Sequence, residues 1–129
     1  MEEQNKMDPI TFTIIKCFFT VYNTLGYGFL EKVYEKALCI ELENNGFKVE
    51  KQKPIQVWYK NRSVGNYFAD IVVNDQVIVE LKTADSLSEQ HANQLINYLK
   101  ATNIEIGLLL NFGEKPEIKR KIYSNNRKK

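Results

Sequence analysis

Three residues in the middle of the chain have the types and spacing to do chemistry: Asp70, Glu80 and Lys82. Glu80 and Lys82 interrupt the apolar run Val77-Ile78-Val79-Glu80-Leu81-Lys82, which reads as a strand. Side chains alternate between the two faces of a strand, so the acid and the base project from the same face, roughly 6.6 Å apart along it. Charged groups seldom sit in such a run unless they are paired or used. A salt bridge between Glu80 and Lys82 satisfies the spacing. So does a site in which Asp70, on the preceding strand, joins Glu80 around a hard divalent cation such as Mg²⁺, which takes one or two carboxylates plus waters and substrate oxygens. Two unpaired carboxylates about 4 Å apart repel by several kcal/mol at intermediate dielectric, and a cation removes that cost. Lys82 would then orient a water or stabilise charge developing on a phosphate.

Whether the two acids meet is a matter of hairpin register. A three-residue turn, Asn74 to Gln76, pairs Asp70 with Glu80 and puts them on one face. A two-residue turn sends them to opposite faces. The alternation favours the shared face, with Glu80 and Lys82 on a polar edge and Val77, Val79 and Leu81 toward the core.

The elements that must position these residues can be read along the chain. Asp8-Pro9 is an N-cap followed by proline at the first helical position, and Ile10, Ile14, Phe18 and Val21 recur at helical spacing. Gly26-Tyr27-Gly28 breaks that helix. A second is expected from Phe29 to Asn45, with Phe29, Val33, Ala37 and Ile40 on its apolar face and Gly46 just past its end. Strands are predicted over Val49–Tyr59, where Pro54 points to an edge or a bulge, then Val64–Val73 after a polar turn at Lys60–Ser63, then Val77–Lys82. Ser86 or Ser88 caps a helix reaching about Ala101. A short strand follows over Ile104–Asn111, and Ile118, Arg120 and Ile122 alternate as one more. The order ααβββαβ(β) predicts an α/β domain with a mixed sheet.

With that map, several motifs fall into place together. Asp70 followed by Glu80-Leu81-Lys82 resembles the D…(D/E)xK signature of the PD-(D/E)xK nuclease superfamily, the restriction-endonuclease-like fold. Gly28-Phe29-Leu30-Glu31-Lys32-Val33-Tyr34 fits the pattern of the GxxExxY family within it. Gln94-Leu95-Ile96-Asn97-Tyr98 is similar to the Q-x-x-x-Y that follows the ExK strand in RecB-like nucleases. The likeness runs over about residues 10 to 123. It implies a central mixed sheet flanked by helices and roles residue by residue. Asp70 and Glu80 would bind Mg²⁺ or Mn²⁺ with the Leu81 backbone carbonyl as a third oxygen. Lys82 would position or activate the attacking water, and Glu31 would complete the acidic site from the second helix. Gln94 and Tyr98, four apart on one helical face, would touch a phosphate or orient Lys82. His91 shares their stripe and is expected at the surface or behind the site. The implied activity is hydrolysis of phosphodiester bonds in nucleic acid, with DNA as the expected form. The alternative is a non-catalytic nucleic-acid- or protein-binding module on the same fold.

Bulk properties bound these readings. At 129 residues, 43% apolar and 26% charged, the chain is expected to form one domain with a real core, residues 1–123, and a basic tail, 124–129. Glu2 and Glu3 are wrong for a signal peptide, and Ile10–Leu25 is too short and polar to span a bilayer, so a cytoplasmic protein without a membrane partner is expected. A homodimer is compatible with the sequence. Cys17 and Cys39 lie on apolar helical patterns without a ligand partner at metal spacing and are expected as buried thiols. The net charge of +2 hides an asymmetry. Six of the eighteen Lys and Arg, and none of the sixteen Asp and Glu, fall in residues 119–129, so the rest of the chain is net acidic. Lys119, Arg120 and Lys121, with Arg127, Lys128 and Lys129, are therefore candidate contacts for a polyanion.

Overall fold

Asp8 opens the first helix as its sequence demands. Its carboxylate accepts from the Thr11 amide (2.9 Å) and the Thr11 hydroxyl (2.7 Å), and Pro9 supplies the preset first turn of α1, Pro9–Leu25. Gly26, at φ 70°, ends α1, its N–H reaching the Tyr22 carbonyl. Helix α2 spans Glu31–Asn44 and stops before Gly46, which sits in the left-handed region (φ 83°). The structure is a computed structural model and describes residues 7–128; Glu2, Glu3 and Lys129 lie outside the described residues.

Five strands follow the helical pair: β1 Val49–Tyr59, β2 Arg62–Val73, β3 Val77–Lys82, β4 Ile106–Phe112 and β5 Pro116–Ile122, with α3, Glu89–Lys100, between β3 and β4. They form one sheet in the order β1-β2-β3-β4-β5. Only β3 and β4 run parallel, joined by α3 as the crossover; the other neighbours are antiparallel. Helices α1 and α2 cover one face, where Ile14, Phe18, Tyr34, Leu38 and Leu42 meet Ile71, Val79, Leu108 and Phe112. Helix α3 covers the other, placing Leu95 and Leu99 on Val72, Ile78 and Leu109. This is the α/β architecture the element order predicts. Because both faces are covered, Ile78 and Glu80 are buried along with Val77, Val79 and Leu81, so the polar edge expected for Glu80 does not exist.

Pro54 lies on β1, an edge strand, where its missing N–H costs no central ladder bond. The turn after β1 is tighter than the sequence suggests. Only Lys60 and Asn61 form it, both at positive φ, and β2 begins at Arg62. The buried face of α2 also differs from expectation. Phe29, Val33 and Ile40 are exposed and Ala37 only partly buried; Tyr34, Glu35, Leu38, Cys39 and Leu42 face inward. Tyr34 makes the choice: its hydroxyl donates to the Gly26 carbonyl (2.7 Å) and accepts from the Phe29 amide (3.2 Å), while its ring stacks on Phe112. Both cysteines are buried thiols, and burial pushes Cys39 up to about 11.

Candidate active site

The loop between β2 and β3 sets the geometry. It has three residues, Asn74, Asp75 and Gln76, the first two in the left-handed region that Asn and Asp tolerate. Val73 faces Val77, Val72 faces Ile78 and Ile71 faces Val79, so the next rung sets Asp70 against Glu80. At that rung side chains take over from backbone. The Asp70 amide donates to Glu80 Oε2 (2.9 Å), and the Leu81 amide donates to Asp70 Oδ2 (2.8 Å). Beyond it the sheet forks, β2 continuing with β1 and β3 with β4.

Glu80 is only 4% exposed. Burial, and then the charge of Asp70, push its carboxyl up to about 8; the Asp70 amide and Lys82 work the other way. Burial also raises Asp70, against the Leu81 hydrogen bond, and the charge of Glu35 adds to the rise. Glu31 stands at the first turn of α2. It is exposed as a residue, yet partial burial of its carboxyl and the charge of Asp70 raise it too. The four acids thus share one field.

Lys82 forms no ion pair with Glu80, so the salt-bridge alternative is not realised among the described residues. Instead Lys82 lines a cleft of about 430 Å³ with Tyr67, His91, Gln94 and Tyr98. Helix α3 delivers the last three. Ser88 caps it, accepting from the His91 amide, while His91 Nδ1 accepts from the Ser88 amide, so the histidine closes a capping box. Gln94 is exposed and Tyr98 buried; burial first, then Glu80 and Asp70, push the Tyr98 phenol up to about 12. Leu81 has its side chain in the core and its N–H on Asp70.

Two residues the sequence reading passed over belong to this network. Glu35, one turn after Glu31, is buried and accepts from Lys32 Nζ (3.2 Å) and Gln52 Nε2 (3.3 Å). Gln52 also reaches Asp70 Oδ1 at 3.5 Å, from a strand residue held at φ 50°. The i, i+4 relation to Glu31 was the available signal for Glu35. Behind Lys82, Asn111 is fully buried. Its amide accepts from the Ala84 N–H and donates to the Ala84 carbonyl, both at 2.9 Å, which fixes the chain as it leaves β3.

The expected basic contacts are placed unequally. Lys119 and Lys121 alternate with Arg120 on β5. Arg120 is half-buried and pairs with Asp8 at 3.3 Å, so it braces the start of α1. The tail does not trail away: a 3₁₀ turn, Asn125–Arg127, brings Lys128 Nζ onto the Thr102 (3.0 Å) and Ile104 (2.8 Å) carbonyls.

A family model described as the PD-(D/E)XK nuclease superfamily matches residues 8–121. The chain belongs to the PD-(D/E)XK nuclease superfamily. No curated protein matches the chain. The solved crystal structure of SSO0001 is similar at 15% identity over 72% of this chain, with a TM-score of 0.47. The match spans 50% of the SSO0001 chain. No helix among the described residues is long and apolar enough to cross a membrane.

Divalent metals are general in this superfamily, so the acid pair must be asked whether it suits one. Among the described residues no three His, Cys, Asp or Glu side chains gather as an ion-binding group. Magnesium does not require such a cage, being held by one or two carboxylates with water and phosphate oxygens completing its octahedron. Two adjacent carboxyls, Glu80 buried and Asp70 half-buried, each raised by burial and by a neighbouring acid, offer oxygen donors that fit such an ion.

Proposed function

We propose that the protein is a Mg²⁺- or Mn²⁺-dependent nuclease that hydrolyses phosphodiester bonds in DNA. The observation that carries this reading is the pairing of half-buried Asp70 with buried Glu80 on β3, two residues before Lys82, which lines the cleft. Asp70 and Glu80 would hold the cation, with the Leu81 carbonyl as a third protein oxygen and Glu31 as an outer acid. When bound, the cation supplies Lewis acidity toward a phosphate oxygen and makes a neighbouring water more acidic. The chain's own residues do the rest. Lys82 orients the attacking water and stabilises negative charge growing on the phosphate. Tyr98 stays a neutral phenol and offers its O–H as a donor. Gln94, one turn earlier on α3, presents an amide to a phosphate oxygen or to Lys82. Lys119 and Lys121 hold the backbone of the substrate at a distance from the cleavage point.

The test is to incubate single- and double-stranded DNA and RNA with the protein and Mg²⁺ or Mn²⁺, alongside Mn²⁺ calorimetry. Cleavage that is lost in Glu80→Gln supports the reading. Metal binding without turnover on any substrate transfers it to a non-catalytic nucleic-acid- or protein-binding module, and absence of metal binding sinks it.

A further inference from the structure

Tyr67 lies where two depressions of the surface meet. One is the cleft it shares with Lys82, Gln94 and Tyr98. The other is a groove of about 320 Å³ whose walls are Val57 and Tyr67 on the β1–β2 hairpin and Asn97, Lys100 and Ala101 on α3. Tyr67 is 46% exposed and its ring rests against Tyr98, centroids 5.7 Å apart; with Asn97 it borders both depressions, so the groove adjoins the cleft that Lys82 lines.

The chemistry of the second groove is unlike that of the first. Val57 and Ala101 make it apolar, an open aromatic face stands in it, Asn97 offers an amide, and Lys100 is its only charged lining residue. Its hairpin wall is also free of anions. Residues 51–69 contain Lys51, Lys53, Lys60 and Arg62 and no Asp or Glu; of these cations Lys53 is engaged by Glu50 and Asp75. Aromatic faces lined by cations receive unpaired nucleic-acid bases, because every base has a face to stack and every linkage a phosphate to neutralise. A base inside a duplex has both faces covered by its neighbours and offers neither to a tyrosine.

Resting on the nuclease reading, we infer that this groove binds the unpaired base next to the scissile phosphate, stacked on Tyr67 with Lys100 on its phosphate, so that the substrate is single-stranded at the site. Neither residue touches the reacting atoms; Tyr67 is a positioning residue for the strand.

The experiment is equilibrium anisotropy of a short labelled DNA single strand, and of the same strand annealed to its complement, in EDTA so that no cleavage occurs. The parent should bind the single strand at least tenfold more tightly than the blunt duplex. Tyr67→Ala should weaken single-strand binding about tenfold and leave duplex binding unchanged, the scale of one lost base–aromatic stack. Tyr67→Phe should restore it, because the ring is kept. Phe68→Ala removes an exposed ring from the opposite face of the same strand and should change nothing. Lys100→Gln should lower the salt slope by about one. Equal binding of both forms by the parent, or wild-type affinity in Tyr67→Ala, overturns the inference. The nuclease reading fails separately: if single-strand binding behaves as stated and no metal supports cleavage, the groove stands and the hydrolase does not.

Discussion

Asp70 and Glu80 hold each other's strands: the amide of the first donates to the carboxylate of the second at 2.9 Å, and the carboxylate of the first accepts from Leu81 at 2.8 Å. The two acids are therefore structural members as well as candidate ligands, while Lys82 is free of that duty. This difference separates their mutants. Lys82→Met should leave Mn²⁺ affinity intact or raise it, since a nearby positive charge is gone. Cleavage should fall by ~10² or more, the scale of a lost electrostatic stabiliser. Asp70→Asn should lose both metal binding and cleavage. Mn²⁺ calorimetry and single-turnover cleavage on the same preparations decide it; a Lys82→Met protein that cleaves at the parent rate removes the lysine from the mechanism.

Tyr34 delivers Glu31. Its hydroxyl bridges the Gly26 carbonyl and the Phe29 amide across the loop that leads into α2. Tyr34→Phe strips that bridge and should cost about 1–3 kcal/mol, the scale of buried polar groups left unsatisfied. Metal affinity should fall with it as Glu31 loses its fixed approach. Glu31→Gln should lower metal affinity without the stability loss. Thermal unfolding and metal titration of the two variants side by side tell position from charge.

The acid limb of the stability curve should carry the mark of Asp8. Burial opposes its charge, but the Thr11 amide and hydroxyl and the Arg120 guanidinium hold the carboxyl below its ordinary value of 3.8. A carboxyl lowered on folding adds stability above its unfolded value, and that stability is lost as pH falls through the folded one. Asp8→Asn keeps a cap acceptor and removes the charge. It should be less stable than the parent by roughly 0.5–1 kcal/mol at neutral pH, and the gap should close below pH 3.8. A gap that persists unchanged at pH 2.5 would argue that packing, not charge, was lost.

The tail should behave as a brace. Lys128→Met removes the donor to the Thr102 and Ile104 carbonyls and should lower the melting temperature with little effect on the salt dependence of DNA binding. Lys119→Gln with Lys121→Gln should do the reverse, flattening the slope by up to about two because fewer counterions are released. Parallel melting curves and salt titrations check both halves.

The start of α1 was legible because local chemistry encodes it in Asp8-Pro9. The hairpin register was open between two turn lengths, and Asn74 and Asp75, both at positive φ, select the three-residue loop that sets Asp70 against Glu80. The face of α2 was not legible. Two apolar stripes compete on that helix, and the winner is chosen by Tyr34, whose partners Gly26 and Phe112 lie outside the helix. Reading the other stripe also hid Glu35, which shares the inward face. Arg120 and Lys128 looked alike in the sequence as surface cations. Their partners, Asp8 and the 102–104 carbonyls, are 112 and about 25 residues away, so no short window could reveal them.

Asn111 gives Ala84 the N–H and C=O partners that a neighbouring strand would have given, using one side chain in place of a backbone. The parallel pairing of β3 and β4 is thereby prolonged past its last rung, Lys82 opposite Asn111. The lysine consequently stands on a fixed post and not on a hinge. The chain is tied before the lysine by the Leu81 amide on Asp70 and after it by Ala84 on Asn111, so its backbone is pinned on both sides by side chains that are not its own.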